Sequence, residues 1–189
     1  MSLEVVKYGH PALRKKGARI EKITPEIKKL IGEMLLTMEA SHGVGLAAQQ
    51  VAQALQLAVI DVLLADRPST LWIDDKPAEL AVLMPLVLIN PEVKPAADPV
   101  AGGEGCLSFP EMYAEITRPA QVDVTCTNEK GERISFRCGG LLARAVQHEV
   151  DHLNGILFID RMEAKDKREL QSELEELQAE TKAALKAKK

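Results

Sequence analysis

Apolar and polar positions along the chain mark out an early helix, a middle built of strands, a second helix and a charged helical tail. Over residues 24–42, Ile27, Leu30, Ile31, Met34, Leu35 and Met38 fall three and four apart, the stripe of an amphipathic helix. Thr24-Pro25-Glu26 supplies its start, a capping hydroxyl followed by proline at the first helical position. Residues 57–62 and 86–91 are short apolar runs that read as strands, the second ended by Asn90-Pro91. Residues 112–117, 122–127 and 133–137 suggest further strands, the last two joined by a turn at Asn128-Glu129-Lys130-Gly131. After Gly139-Gly140, the positions Leu141, Ala145, His148 and His152 share one helix face, and Asn154-Gly155 offers a C-cap. From Glu163 onward Leu170, Leu174 and Leu177 keep helical spacing in a segment acidic in its middle and basic at its end, an order that suits the helix dipole. The pattern predicts an α+β fold. Antiparallel or mixed β-sheets pack around the His-bearing helix, with one helix near each terminus.

Length and charge narrow the class. A chain of 189 residues is expected to form one domain with a sizeable core. Residues 1–162 make its body, and the charged helix of residues 163–189 belongs to the same unit. A net charge of −4 argues against general affinity for nucleic acid. Met1-Ser2-Leu3-Glu4 lacks a signal pattern and no apolar run is long enough to span a bilayer, so a soluble cytoplasmic protein with no membrane partner is expected. Three widely spaced cysteines do not make a disulfide framework, which fits a reducing compartment. With aromatics at 3%, the core must be mainly aliphatic.

The chemistry concentrates in Gln147-His148-Glu149-Val150-Asp151-His152, which contains H-E-x-x-H. Residues four apart lie on one helix face, so two imidazoles can grip one metal ion. Glu149 sits beside that ion without having to bind it, where a general base must be if a metal-activated water is the nucleophile. The plain alternative is a surface helix carrying two His by chance. Only four His occur in the chain, and two of them fall here around a Glu.

A catalytic site of this kind needs a third protein ligand and one position left for water. A metzincin would place a third His six residues after His152, but Phe158 stands there. A thermolysin-like site would draw a Glu from a following helix, and Glu169 and Glu173 are possible on paper. The better candidate is Cys106 in Gly102-Gly103-Glu104-Gly105-Cys106-Leu107-Ser108, where glycines permit close backbone approach. One thiolate and two imidazoles suit zinc or ferrous iron. Cys126 lies in an alternating strand and Cys138 at a strand end, and both read as small core residues. Gly43-Val44-Gly45-Leu46-Ala47-Ala48-Gln49-Gln50 fits neither a P-loop nor a dinucleotide fingerprint. A helix end and tight turn would explain its glycines but not Gln50, whose amide beside a metal could donate to a developing oxyanion.

The three segments G-V-G-L-A-A-Q-Q, E-G-C-L-S and Q-H-E-V-D-H resemble, in order, the three signature motifs of the peptide deformylases. The likeness runs from Lys7-Tyr8-Gly9-His10-Pro11-Ala12-Leu13-Arg14 to Phe158-Ile159-Asp160. It implies removal of the formyl group from N-formylmethionyl nascent peptides, releasing formate, with the ribosome near the peptide exit as a candidate partner. It implies one divalent metal per chain, Fe2+ in many bacterial members, with Zn2+, Ni2+ or Co2+ as substitutes. Cys106, His148 and His152 would hold the metal, Glu149 would act as base, and Gln50 with the Leu107 backbone N–H would face the oxyanion. Glu104 would pair with Arg118 and fix the loop that carries Cys106. Val44, Leu141 and Ala145, with the stem of Arg144, are candidates for the methionine pocket. Backbone groups of Val44, Gly45 and Gly105 would pair with the peptide as an added strand.

Two rival classes remain at this point, a zincin-type metalloprotease and a protein with a purely structural metal. The first lacks a convincing downstream ligand, and the second would normally fill all four metal positions with Cys and His. The stretch between Asp61 and Leu86, which holds the only Trp, Trp72, looks longer than a simple link. It reads as a surface excursion with Trp72 packing back, ahead of a loop overhanging the cleft.

Overall fold

The protein is described by a computed structural model over residues 2–187. Its first helix, α1 (Pro25–Ala40), begins where Thr24 accepts the Ile27 N–H. Five strands follow: β1 (Gly45–Ala47), β2 (Leu57–Ile60), β3 (Ser69–Ile73), β4 (Lys76–Pro77) and β5 (Leu86–Pro95). Next come β6 (Pro99–Cys106), β7 (Phe109–Pro119), β8 (Gln121–Thr127) and β9 (Arg133–Gly139). The chain closes with α2 (Gly140–Leu153), α3 (Ala164–Glu169) and α4 (Gln171–Ala187). Seven strands form one antiparallel sheet in the order β1-β2-β5-β8-β9-β3-β4, and β6 and β7 form a separate hairpin.

The apolar runs in β2 and β5 are unbroken because both faces of the sheet are covered. Side chains alternate along a strand. Leu57, Val59, Val87 and Ile89 therefore pack with Ile31, Met34 and Met38 of α1. Ala58, Ile60, Leu86 and Leu88 pack with Leu142, Ala143 and Val146 of α2. The His-bearing helix thus lies against one face of the sheet. A third cluster, including Leu13, Phe109, Ile116, Phe158 and Leu174, joins the β6–β7 hairpin to the N-terminal segment and to α4. Tyr8 stacks on Phe109 there and Phe109 meets Phe158 edge to face, with centroids 4.9 and 5.0 Å apart.

Four expectations need correction. Asn90-Pro91 does not end its strand, since β5 continues to Pro95 through a register shift between Ile89 and Glu92. Proline is tolerated at such a bulge, where no ladder N–H is required. Asn90, at φ 51, uses its amide to bind both Ile20 backbone groups. The segment carrying Cys106 is a strand and not a loop, because its glycines pair in register with β7 up to Gly105. The stretch after Asp61 is a hairpin hydrogen-bonded to β9, and half-buried Trp72 lies opposite Arg137 and Pro77. The C-terminal segment is two helices, with α3 ending at a Leu170 cap.

Candidate active site

Three separate elements deliver the chemistry to one cavity of about 510 Å³. Helix α2 brings His148 and His152 one turn apart, with ring centroids 5.0 Å apart and planes at 72°. Cys106 ends β6, and its Sγ lies 3.3 Å from His152 Nε2. Ligand atoms of Cys106, His148 and His152 all lie within 4.8 Å of one another, the one such group of Cys, His or acidic side chains among the described residues. One soft sulfur and two ring nitrogens converging at that range fit a divalent transition metal. Glu169 and Glu173 are exposed on α3 and α4 and take no part in the group, so no thermolysin-like ligand set forms.

Of the three, His148 is held from behind by a buried charge network, while His152 Nδ1 is buried without a hydrogen-bond partner. Glu104 is 7% exposed and accepts both Nε and Nη2 of Arg118, at 2.6 and 3.0 Å, and Nη1 of Arg144 at 2.8 Å. It also lies 3.0 Å from His148 Nδ1, which leaves Nε2 as the ring nitrogen free for the site. Burial alone would raise the Glu104 carboxyl, but His148 and Arg118 outweigh it and hold it at about 2. Burial disfavours a charged His148, yet its contacts with Cys106 and Glu104 win and hold its pKa well above the usual range. Burial and then the charge of His148 push His152 well below that range. Arg118 also reaches Asp151 at 2.8 Å, and Arg161 pairs with Asp151 from outside.

Glu149 is 4% exposed, and its Oε2 is buried with no hydrogen-bond partner. Burial lifts its carboxyl to about 7. A Cβ on Gly45 would overlap this carboxylate, so glycine is what lets β1 pass beside Glu149. Gln50 stands on the turn after β1 and is 1% exposed. Its Oε1 accepts the Ala47 N–H at 2.9 Å, which aims Nε2 at Ser108 Oγ and Cys106 Sγ, at 3.3 and 3.5 Å. The Gln50 amide therefore both satisfies a buried backbone group and points at the donor set. Leu107 follows Cys106 in the turn, and its carbonyl accepts Lys7 Nζ at 2.8 Å.

Val44, Gly45, Gly105, Leu141 and Ala145 all line the cavity. The Val44 carbonyl already accepts the Asp61 N–H at 2.9 Å, so this acceptor is engaged inside the sheet. The Arg144 guanidinium is buried on Glu104 and on the Val100 and Ile116 carbonyls, a role its sequence position did not reveal. Asp151 was also missed. Its signal was an acid inside the motif helix three residues after His148, which has to find a cation once buried. Lys7 and Ser108 carried no sequence signal of their own.

Scaffold and donor set define a metal-dependent hydrolase. The pattern of the polypeptide deformylase family matches residues 2–168. A peptide deformylase of Opitutus terrae is 42% identical over 98% of each chain, and one of Methylacidiphilum infernorum is 45% identical over 94% of this chain and 93% of its own. A peptide deformylase of Synechococcus elongatus, solved with actinonin, superposes with a TM-score of 0.77 at 39% identity, covering 90% of this chain and 87% of that one. The corresponding enzyme of Legionella pneumophila gives 0.78 at 28% identity, covering 100% and 99%. The chain belongs to the polypeptide deformylase family, and its reaction is removal of the N-formyl group from nascent peptides. No described helix is long and apolar enough to cross a membrane.

Proposed function

We propose that Cys106, His148 and His152 hold one divalent metal ion and that Glu149 is the base of deformylation. The observation that carries this is a buried carboxylate with an unpartnered oxygen, one helix position from His148 and lining the same cavity as Cys106 and His148, whose donor atoms lie within 4.8 Å of that of His152. A bound divalent metal supplies Lewis acidity, polarising the formyl oxygen and lowering the pKa of water toward neutrality. Glu149 takes a proton from the attacking water and returns it to the departing amine as the C–N bond breaks. The water oxygen leaves in formate. Gln50 Nε2 and the Leu107 N–H donate to the oxyanion as it forms. Glu104, held by Arg118 and Arg144, fixes the ring of His148 through Nδ1. Val44, Leu141 and Ala145 receive the methionine side chain, and backbone groups of Gly45 and Gly105 pair with the peptide.

Release of formate from formyl-Met-Ala tests the activity, with casein as control for internal cleavage. Casein cleavage without formate release would favour the protease reading. The ligand set has its own test. Cys106→Ser is expected to lose metal on dialysis, while Cys126→Ser and Cys138→Ser keep about one ion per chain. Full metal in Cys106→Ser would place the third ligand elsewhere. We propose Fe2+ as the native ion, with Zn2+, Ni2+ or Co2+ able to replace it. Zinc binds such a set more tightly than ferrous iron. Metal analysis of protein purified without oxygen therefore decides, and zinc alone would overturn the iron assignment. The cytoplasm, where thiols stay reduced, is the proposed compartment. The encounter with substrate is placed near the ribosomal exit, and co-sedimentation with ribosomes tests it.

A further inference from the structure

Arg67 stands in the turn that leads into β3, in the stretch that the sequence marked as longer than a simple link. Its side chain lines the same cavity as Cys106 and Glu149. Nη1 donates to the Gly103 carbonyl at 2.9 Å. No ion pair or second hydrogen bond to Arg67 occurs among the described residues, so the rest of an exposed guanidinium faces the cleft unmatched. The other cations of the cavity are engaged, with Lys7 on the Leu107 carbonyl and Arg144 on Glu104.

The position of that charge along the strand is informative. Gly103 and Gly105 are two apart on β6, so their backbone groups face the same edge, roughly 7 Å apart. β7 covers the opposite edge. An extended peptide that starts at the Cys106 end and pairs with Gly105 reaches Gly103 two residues later. There Arg67 already occupies the carbonyl, so the added strand meets a cation instead of a main-chain acceptor. On the deformylase reading, on which this inference rests, the first substrate residue lies by Leu141 and Ala145. The residue facing Arg67 is then the third.

We propose that Arg67 is a specificity-determining residue that selects substrates with an acidic side chain at their third position. An exposed charge pair of this kind changes affinity by up to about 1 kcal/mol, or roughly threefold to fivefold. The test uses C-terminally amidated formyl-Met-Ala-Glu, formyl-Met-Ala-Gln and formyl-Met-Ala-Lys with the metal-loaded enzyme. Each kcat/KM is divided by that of the same preparation on formyl-Met-Ala. The expected order is Glu above Gln above Lys, with Glu over Gln by about threefold to fivefold at low salt and less at 0.5 M salt. Arg67→Gln is expected to level the three ratios, and Arg67→Lys to keep part of the order. Equal ratios in the unaltered enzyme, or an order that survives in Arg67→Gln, would overturn the proposal. So would discrimination at the second position instead, between formyl-Met-Glu-Ala and formyl-Met-Gln-Ala. Absence of formate from every peptide would overturn the deformylase reading itself.

Discussion

Glu149 has neighbours that pull its carboxyl in opposite directions. Burial raises it most, His148 lowers it, Glu104 raises it and Arg118 lowers it, with the balance at about 7 in the metal-free protein. A cation bound beside it favours the ionised form, so metal must move the midpoint down. Carbon-13 NMR of the apoprotein is expected to show a Glu149 midpoint near 7 that falls when Zn2+ is added. A midpoint at the ordinary carboxylate value before metal is added would refute this account of its surroundings. Gln50 carries two loads, a bond to the Ala47 N–H and an Nε2 aimed at the sulfur. A donor that acts mainly in the transition state affects kcat more than KM. Gln50→Leu is expected to fold, keep its metal and lose ~10²–10³-fold in kcat with little change in KM. Lost thermal stability with an unchanged rate per folded molecule would assign Gln50 to structure alone.

The elements explain how three distant segments meet. Helix α2 lies against the sheet face formed by Ala58, Ile60, Leu86 and Leu88, which fixes the height of both imidazoles. The β6–β7 hairpin is outside that sheet, and polar contacts tie it to α2. Arg118 of β7 bridges Glu104 of β6 and Asp151 of α2, beside the bonds that Arg144, Gln147 and His148 make to the hairpin. Arg118 is 4% exposed, and removing it strips a two-pronged partner from buried Glu104, which keeps Arg144 and His148, and the inner partner from Asp151, which keeps Arg161. Arg118→Leu is therefore expected to destabilise in urea unfolding, by less than the ~3–5 kcal/mol lost when a buried charge keeps no partner. The folded fraction is also expected to bind metal more weakly, since Glu104 no longer holds His148 firmly. Unchanged stability and metal affinity would show that the Arg118 bridge does not hold the hairpin to α2. Much of this level was legible in the chain. Helical spacing gave α1 and α2, and short β-branched runs gave β2, β5, β8 and β9. The Cys106 strand was hidden because glycines have no side chains to alternate. The continuation of β5 was hidden because Asn-Pro is a turn signal unless tertiary contacts, here with Ile20, hold it in a bulge.

At the scale of the molecule, the sheet, its covering helices and the outlying hairpin border a cavity lined by Cys106, His148 and Glu149, with His152 buried next to Cys106. The residues proposed to touch the reaction were readable because motif spacing encodes them: His148 and His152 by the helical repeat, Glu149 by its place between them. The residues that hold them in place were less so. Arg144, Asp151 and Lys7 depend on pairings across the fold, and a lone charged residue in a sequence does not name its partner. The same holds for Arg67, whose placement depends on a hairpin docking against β9. The central claim is that this cavity hydrolyses a formyl amide with Glu149 as base and Cys106, His148 and His152 as metal ligands. The most direct test is formate release from formyl-Met-Ala by Glu149→Ala, measured beside the unaltered enzyme with metal content determined on both preparations. About one ion per chain in each, with turnover reduced ~10²–10⁴-fold in the variant, is the expected result. Turnover close to that of the unaltered enzyme, from a fully metal-loaded Glu149→Ala, would contradict it.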